Sequence, residues 1–305
     1  MQKNLIRNTV IAAAALAAIG SGLAQNDLID TFLDFNKGSQ WDLVSSEQLD
    51  FTTFHPQGMI RVGDNFFLSS VEIIEPTERY ETPQDGMDRT AGVGNGHLFV
   101  INMDGELQDS IELADGDIYH PGGIDYDGEY VWVPVAEYRP DSNSIVYRVD
   151  PETLEATEVL RFPDHIGGVV HDTDTNTLHA VSWGSRRLYS WQLDENLNVV
   201  DEAAEPVLNK QGYVDYQDCQ YVGDSKMLCS GFSTYEGPFY LGAIELVDLT
   251  IDTPVWQVPV VRNIDTGRPI TANPFYFELG DSGLRAYFIP EDDTSRMFVY
   301  DITVE

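Results

Sequence analysis

From about residue 40 onward the chain is built of short apolar runs of period two, separated by Gly- and Asp-rich turns. That alternation predicts half-buried β-strands joined by hairpins. Five segments repeat one unit: a polar starter, an apolar strand, a Gly/Asp turn and a second apolar strand. They are "HPQGMIRVGDNFFLSSVE" from His55, "HPGGIDYDGEYVWVPVAE" from His120 and "HIGGVVHDTDTNTLHAVSW" from His165, then "DYQDCQYVGDSKMLCSGF" from Asp215 and "NPFYFELGDSGLRAYFIPED" from Asn273. Their starts lie 65, 45, 50 and 58 residues apart.

The first four hairpins are each followed by two further strand-like runs, for example "GHLFVINMDG" and "LQDSIEL" after the first. The fifth is followed by "RMFVYDITV" alone and is one strand short. The run "SQWDLVSSEQLDF" stands unassigned before the first hairpin and is expected to complete the last unit. Four strands per unit, five units and a closing strand predict an all-β, five-bladed β-propeller over residues 39–305. The alternative is a six-bladed ring, with the 65-residue first interval hiding an irregular blade. A sandwich has no need of five equivalent hairpins. The polar insert "ERYETPQDGMDRTAGVGNG" in the first unit predicts a long surface loop near one mouth.

Residues 1–24 read as an export signal. Lys3 and Arg7 make a basic start, "VIAAAALAAIG" is apolar, and Gly22-Leu23-Ala24 offers small residues for cleavage. The apolar run is too short to span a bilayer comfortably. The expectation is a secreted or periplasmic, monomeric protein with no membrane contact after cleavage. Residues 25–38 form an N-terminal segment in which "DLIDTFLDFN" is the best helical candidate.

With 51 acidic and 17 basic residues the formal charge is −34, two units more negative once Lys3 and Arg7 are removed. Such a surface repels nucleic-acid phosphates and anionic lipid. It suits solubility in salt, or calcium and cationic ligands. Cys219 and Cys229 flank a strand–turn–strand, so they form either a cross-strand disulfide or two buried thiols.

"HPQGM", "YHPGGIDYDG", "VPVAEYRP", "DHIGGVVHDTDT", "SWGSRR", "VDYQDC" and "AYFIPEDD" resemble an exported bacterial and fungal family catalogued as a domain of unknown function. The resemblance covers almost the whole chain after the signal. It implies a propeller-like β fold and no established chemistry.

In a propeller the first strand of each blade lines the channel, so the five starters converge on one mouth. His55, His120 and His165, with Asp215 or Glu72, are candidate ligands for a divalent metal ion. Neutral imidazole suits Zn, Fe, Mn or Ni, and an acidic chain suits Ca. Glu72 and Glu137 lie 17 residues after their histidines, and Glu291 is their equivalent once one extra turn residue is allowed for. Trp183 and Phe232 hold that place in the other two blades. Glu137 or Glu291 is a candidate base, Tyr138 a proton donor, and Arg139, Arg186, Arg187 and Trp183 candidate substrate contacts. The expected function is a metal-dependent lyase or hydrolase on a small or carbohydrate-like molecule; the alternative is a non-catalytic ligand- or carbohydrate-binding propeller. Against both stands a bland reading: "HPxG" is a recurrent turn whose Pro fixes φ and whose Gly lets backbones crowd.

"DTDTNT" (172–177) reads as an Asp-rich turn in preference to a calcium loop. His97, His171 and His179 read as packing or surface residues. No Gly-x-Ser-x-Gly elbow or phosphate loop is present.

Overall fold

Strand β1 (Gln40–Gln48) leaves the N-terminal region to become the outermost strand of the last blade, so the two ends of the described chain close a ring. The computed structural model describes residues 27–200, 205–236 and 239–304; the expected signal lies outside them. Blade 1 holds β2 (His55–Val62) and β3 (Asn65–Glu75), then, after an insert of β4 (Arg79–Gln84) and β5 (Met87–Arg89), β6 (Val93–Asn102) and β7 (Leu107–Glu112). Blade 2 holds β8 (Ile118–Pro121), β9 (Asp125–Tyr126), β10 (Val131–Glu137), β11 (Ser144–Val149) and β12 (Ala156–Phe162). Blade 3 is β13 (Ile166–Asp172), β14 (Thr177–Ser182), β15 (Arg187–Gln192) and β16 (Val207–Leu208). Blade 4 is β17 (Asp215–Gly223), β18 (Lys226–Thr234), β19 (Tyr240–Asp248) and β20 (Thr253–Val260). Blade 5 is β21 (Phe275–Gly280), β22 (Gly283–Phe288) and β23 (Arg296–Thr303), with β1 paired antiparallel from Gln40↔Thr303 to Gln48↔Arg296. The fold is a five-bladed propeller, not a six-bladed one. The long first interval holds a two-stranded ribbon, β4–β5, where a plain loop is expected from sequence.

The apolar alternation explains the ring. Five hydrophobic clusters form, and each lies between one pair of neighbouring blades. Between blades 2 and 3, for instance, Trp132 and Val146 meet Ile166, Leu178 and Trp191. Trp132 and Trp191 are fully buried, and each such side chain contributes about 2–3 kcal/mol of transfer free energy. No blade can bury both its faces alone, so the ring must close. A helix over 27–34 reinforces the seam of blades 4 and 5, where Phe32 meets the edge of Phe277 at 6.2 Å. Cys219 and Cys229 face each other across β17 and β18 and are joined as a disulfide.

Two buried carboxylates fill the channel axis. Asp218 accepts backbone N–H bonds from Met59 (2.9 Å), Cys219 (3.0 Å), Ile124 (3.2 Å) and Phe275 (3.4 Å), which belong to four different blades. Asp125, further along, accepts from Tyr221 (3.1 Å) and His171 (3.2 Å) in blades 4 and 3. Glycines make room for this. A Cβ on Gly58 would stand 2.5 Å from the Ile124 nitrogen, and one on Gly123 would stand 2.7 Å from the Asp218 carboxylate.

Candidate functional site

The starters open a cavity of about 240 Å³ at one mouth of the ring. His55, His120, His165 and Asp215 line it with Tyr138, Trp183, Ser182, Gln57 and Gln217. A repeated local device shapes its floor. In blades 1, 3 and 4 the residue two places after the starter, Gln57, Gly167 or Gln217, is the unpaired member of a β-bulge, and Gly122 sits in the break between β8 and β9 of blade 2. A bulged residue leaves the ladder and re-aims its side chain. All four reach the cavity.

The three imidazoles stand in a row. The His120 ring centre lies 6.3 Å from His55 and 6.0 Å from His165. Tyr138 stacks on His120 at 4.2 Å, and Trp183 meets His165 edge-on at 4.8 Å. His55 Nδ1 lies 2.8 Å from Asp292 Oδ1, and Asp292 is held in turn by Arg268 (2.6 Å) and Asn273 (3.2 Å). Burial alone would raise the Asp292 pKa, but the bonds from His55 and Arg268 outweigh it and hold the carboxyl at about 2. Phe54, Asn273 and Asp293 all sit at positive φ around this network. For a bulky residue such as Phe54 that is a strained backbone, of the kind that gathers at functional sites.

His165 Nδ1 donates to the Glu137 carbonyl at 2.8 Å. Burial pulls its pKa down to about 4 despite that bond, so the ring is neutral at pH 7. His120 is 5 % exposed, and neither ring nitrogen has a partner in the protein. Burial, with His165 and His55 beside it, drives its pKa well below the ordinary value. Asp215 is raised by burial against the opposing pull of Arg186.

The other expected site residues lie elsewhere, for a geometric reason. His55 pairs with Val71 and His120 with Ala136, so Glu72 and Glu137 stand one residue past the partner and leave on the opposite face. Glu72 accepts from Asn95 at 3.0 Å. Glu137 lines a separate cleft and accepts from Arg139 and Asn143, both at 2.6 Å. Glu291 lies beyond the end of β22 and binds the Arg296 guanidinium at 2.9 and 2.6 Å. Arg139 is thus committed to Glu137, Arg187 to Asp141 (2.8 Å) and Asp164 (2.9 Å), and Arg186 to Asp215. Asn273 does not line the cavity; it supports Asp292.

Of the expected metal ligands, the structure gathers the three histidines and Asp215 but not Glu72. Among the described residues no three His, Cys, Asp or Glu side chains are arranged to hold a metal ion. The "DTDTNT" turn is closed by its own bonds, Thr175 donating to Asp172 at 2.8 Å. His171 packs against Asp127 at 2.7 Å.

Sequence reading missed Asp292, Gln57, Gln217 and Asp218. Asp292 follows Glu291 directly, and the other three lie two or three places after a starter. Aligning the starters residue by residue would have found the two glutamines.

Among solved structures the chain is similar to the bifunctional GH43-CE protein of Bacteroides eggerthii, at 14% identity and a TM-score of 0.48 over 86% of this chain and 36% of that one. It is similar to a luciferin-regenerating enzyme, at 10% identity and 0.51, over 87% and 95%. It is also similar to an exo-β-1,3-galactanase of Clostridium thermocellum, at 10% identity and 0.51, over 87% and 65%. The chain thus spans about a third of the first protein's length and about two-thirds of the third's. At such identities the likeness shows the fold alone. No curated protein matches the chain. A family model matches residues 12–305, and the chain belongs to that family, the family of unknown function DUF6454.

Proposed function

We propose that the histidine mouth is the binding site of a small, hydroxylated, carbohydrate-like molecule in an exported propeller. The observation that carries this is His120. A buried imidazole with both nitrogens unpartnered costs about 1–3 kcal/mol per lost bond, and such groups are rare unless a ligand or water completes them. Hydroxyls both donate and accept, which is what a neutral imidazole requires. Tyr138 and Trp183 give the cavity aromatic walls against which a sugar ring can lie. At about 240 Å³ the cavity falls below the roughly 300–1,000 Å³ of drug-sized sites, which sets the ligand at about one ring.

A second reading, that the mouth is catalytic, is favoured by the His55–Asp292 pair. A carboxylate bonded to Nδ1 fixes the tautomer and aims Nε2 as a general base, the arrangement that acid–base chemistry uses. The expectation of a bound divalent ion supplies no step here, because the donors do not meet around one point.

Calorimetric titration with glucose and galactose tests the binding reading. Wild-type protein is expected to bind at least one of them, with affinity reduced roughly tenfold or more in His120→Ala and Trp183→Ala. Hexose binding indifferent to both substitutions, or none at all, would remove it.

A further inference from the structure

The insert of blade 1 reaches blade 3. Its strands, β4 and β5, pair with each other and with no blade. Contacts from β5 and the residues after it place them on the ring. The Arg89 guanidinium lies over the Trp183 indole at 5.0 Å, the Arg139 guanidinium donates to the Arg89 carbonyl at 3.5 Å, and the Tyr119 hydroxyl donates to the Ala91 carbonyl at 2.6 Å. Trp183 belongs to blade 3, and Tyr119 and Arg139 to blade 2, so the ribbon crosses one blade to meet the next. Its root is cut to fit. Gly92 has a φ of +71°, and a Cβ there would stand 2.6 Å from the hydroxyl of the buried Tyr119.

These contacts all lead to the mouth. Trp183 lines the cavity, and Tyr119 is the chain neighbour of His120. Arg139 is bonded to the Glu137 carboxylate, while the carbonyl of that same residue accepts from His165 at 2.8 Å. Arg89 does not line the cavity, so it holds a wall without filling the space. Its side chain is only 13 % exposed, and Asp88 accepts from its guanidinium at 2.8 and 2.9 Å. Asp88 sits on the same ribbon, so that pair shapes the guanidinium but cannot fix the ribbon's place. The face of Trp183 can, since a planar cation is drawn to an indole face. The indole in turn stands 5.8 Å from Tyr138 and 4.8 Å from His165.

We propose that Arg89 is a positioning residue of the mouth, carried across blade 2 by the insert to fix the Trp183 indole as a wall for the ligand. The proposal rests on the reading of the mouth as a small-molecule site and adds the element that holds its wall in place. A ligand of about one ring gains most from an aromatic wall that is fixed before it arrives, because ordering the wall on binding costs affinity. Lysine supplies the charge but not the planar stack, so it replaces this arginine only in part.

The test labels the full chain with 5-fluorotryptophan and follows the fluorine resonance of Trp183, assigned by its loss in Trp183→Phe. Arg89→Ala, checked for an unchanged melting temperature, is expected to broaden or split that resonance before any ligand is added; a mere change of nearby charge would only shift it. Binding of glucose or galactose, whichever the wild type takes, is expected to weaken roughly fivefold or more in the same variant. Arg89→Lys is expected to recover part of both losses. A single sharp Trp183 line in Arg89→Ala overturns the inference, whatever the sugars do. A broadened line with unchanged hexose affinity overturns it too, since the ribbon then packs on the wall without serving the ligand. A broadened line in a chain whose wild type binds neither hexose upholds Arg89 as the holder of Trp183 and removes the hexose reading alone.

Discussion

The middle of this ring holds two polar regions built from the same strands, and they are finished in opposite ways. On the axis, Asp218 receives four backbone N–H groups and Asp125 two, so the blades themselves complete both carboxylates. At the mouth, His120 is buried and has no protein partner at either nitrogen. A buried polar group that the fold satisfies tells of assembly. One that the fold leaves open, on the wall of a cavity, tells of something that comes from outside. The difference can be broken by mutation in three places.

The largest effect is expected on the axis. Asp218→Ala leaves four buried N–H groups without an acceptor and opens the meeting point of four blades. Removing the acceptor of a buried network costs about 3–5 kcal/mol. Urea unfolding should show a large drop in midpoint. A drop of less than about 1 kcal/mol would mean that the axis is no better completed than the mouth, and the comparison fails.

The ring and its closure were legible because period-two apolar runs and Gly/Asp turns are local signals that five repeats reinforce. The three histidines, Tyr138 and Trp183 were legible too, because equivalent starts of equivalent strands share one mouth. Distance along the chain singles out the glutamates, but a single residue of offset on a strand turns a side chain to the other face. Glu72 and Glu137 lie on the wrong side of that parity, whereas Tyr138, two residues past Ala136, lies on the right one. The partners of Arg139, Arg186 and Arg187 depend on loop geometry that no periodicity encodes. Asp218 was hidden for another reason: a buried aspartate in a strand makes sense only when the backbones of other blades are known to end beside it.

An intermediate effect follows from acid. His165 has its pKa lowered to about 4 by burial, below the ordinary 6.5. As pH falls from 6.5 towards 4 the unfolded chain takes up a proton that the folded ring refuses, so this site's contribution drains away by about 3 kcal/mol. Asp125 works in the opposite sense, because burial raises it to about 7 and the folded state gains the proton first. Wild type and His165→Gln therefore have to be compared over the same window. The glutamine can still donate to the Glu137 carbonyl but does not titrate. The gap between the two urea midpoints should shift in the variant's favour on acidification. Parallel curves from pH 6.5 to 4 would show that the mouth carries no such penalty.

The smallest effect is the most pointed. His120→Phe keeps a ring of similar shape against Tyr138 and removes both unpartnered nitrogens. If those nitrogens are a cost the fold tolerates for the sake of a ligand, the variant should be more stable than wild type by about 1–2 kcal/mol. The equivalent exchange on the axis, Asp218→Leu, should go strongly the other way, since its four donors would lose their acceptor. Equilibrium unfolding measures the gain, and titration with glucose and galactose measures the loss of binding that should accompany it. Stabilisation together with lost binding would mark His120 as a residue kept for function. Destabilisation by more than about 1 kcal/mol would mean that the imidazole is held by the fold after all, and "HPGG" would return to being a turn.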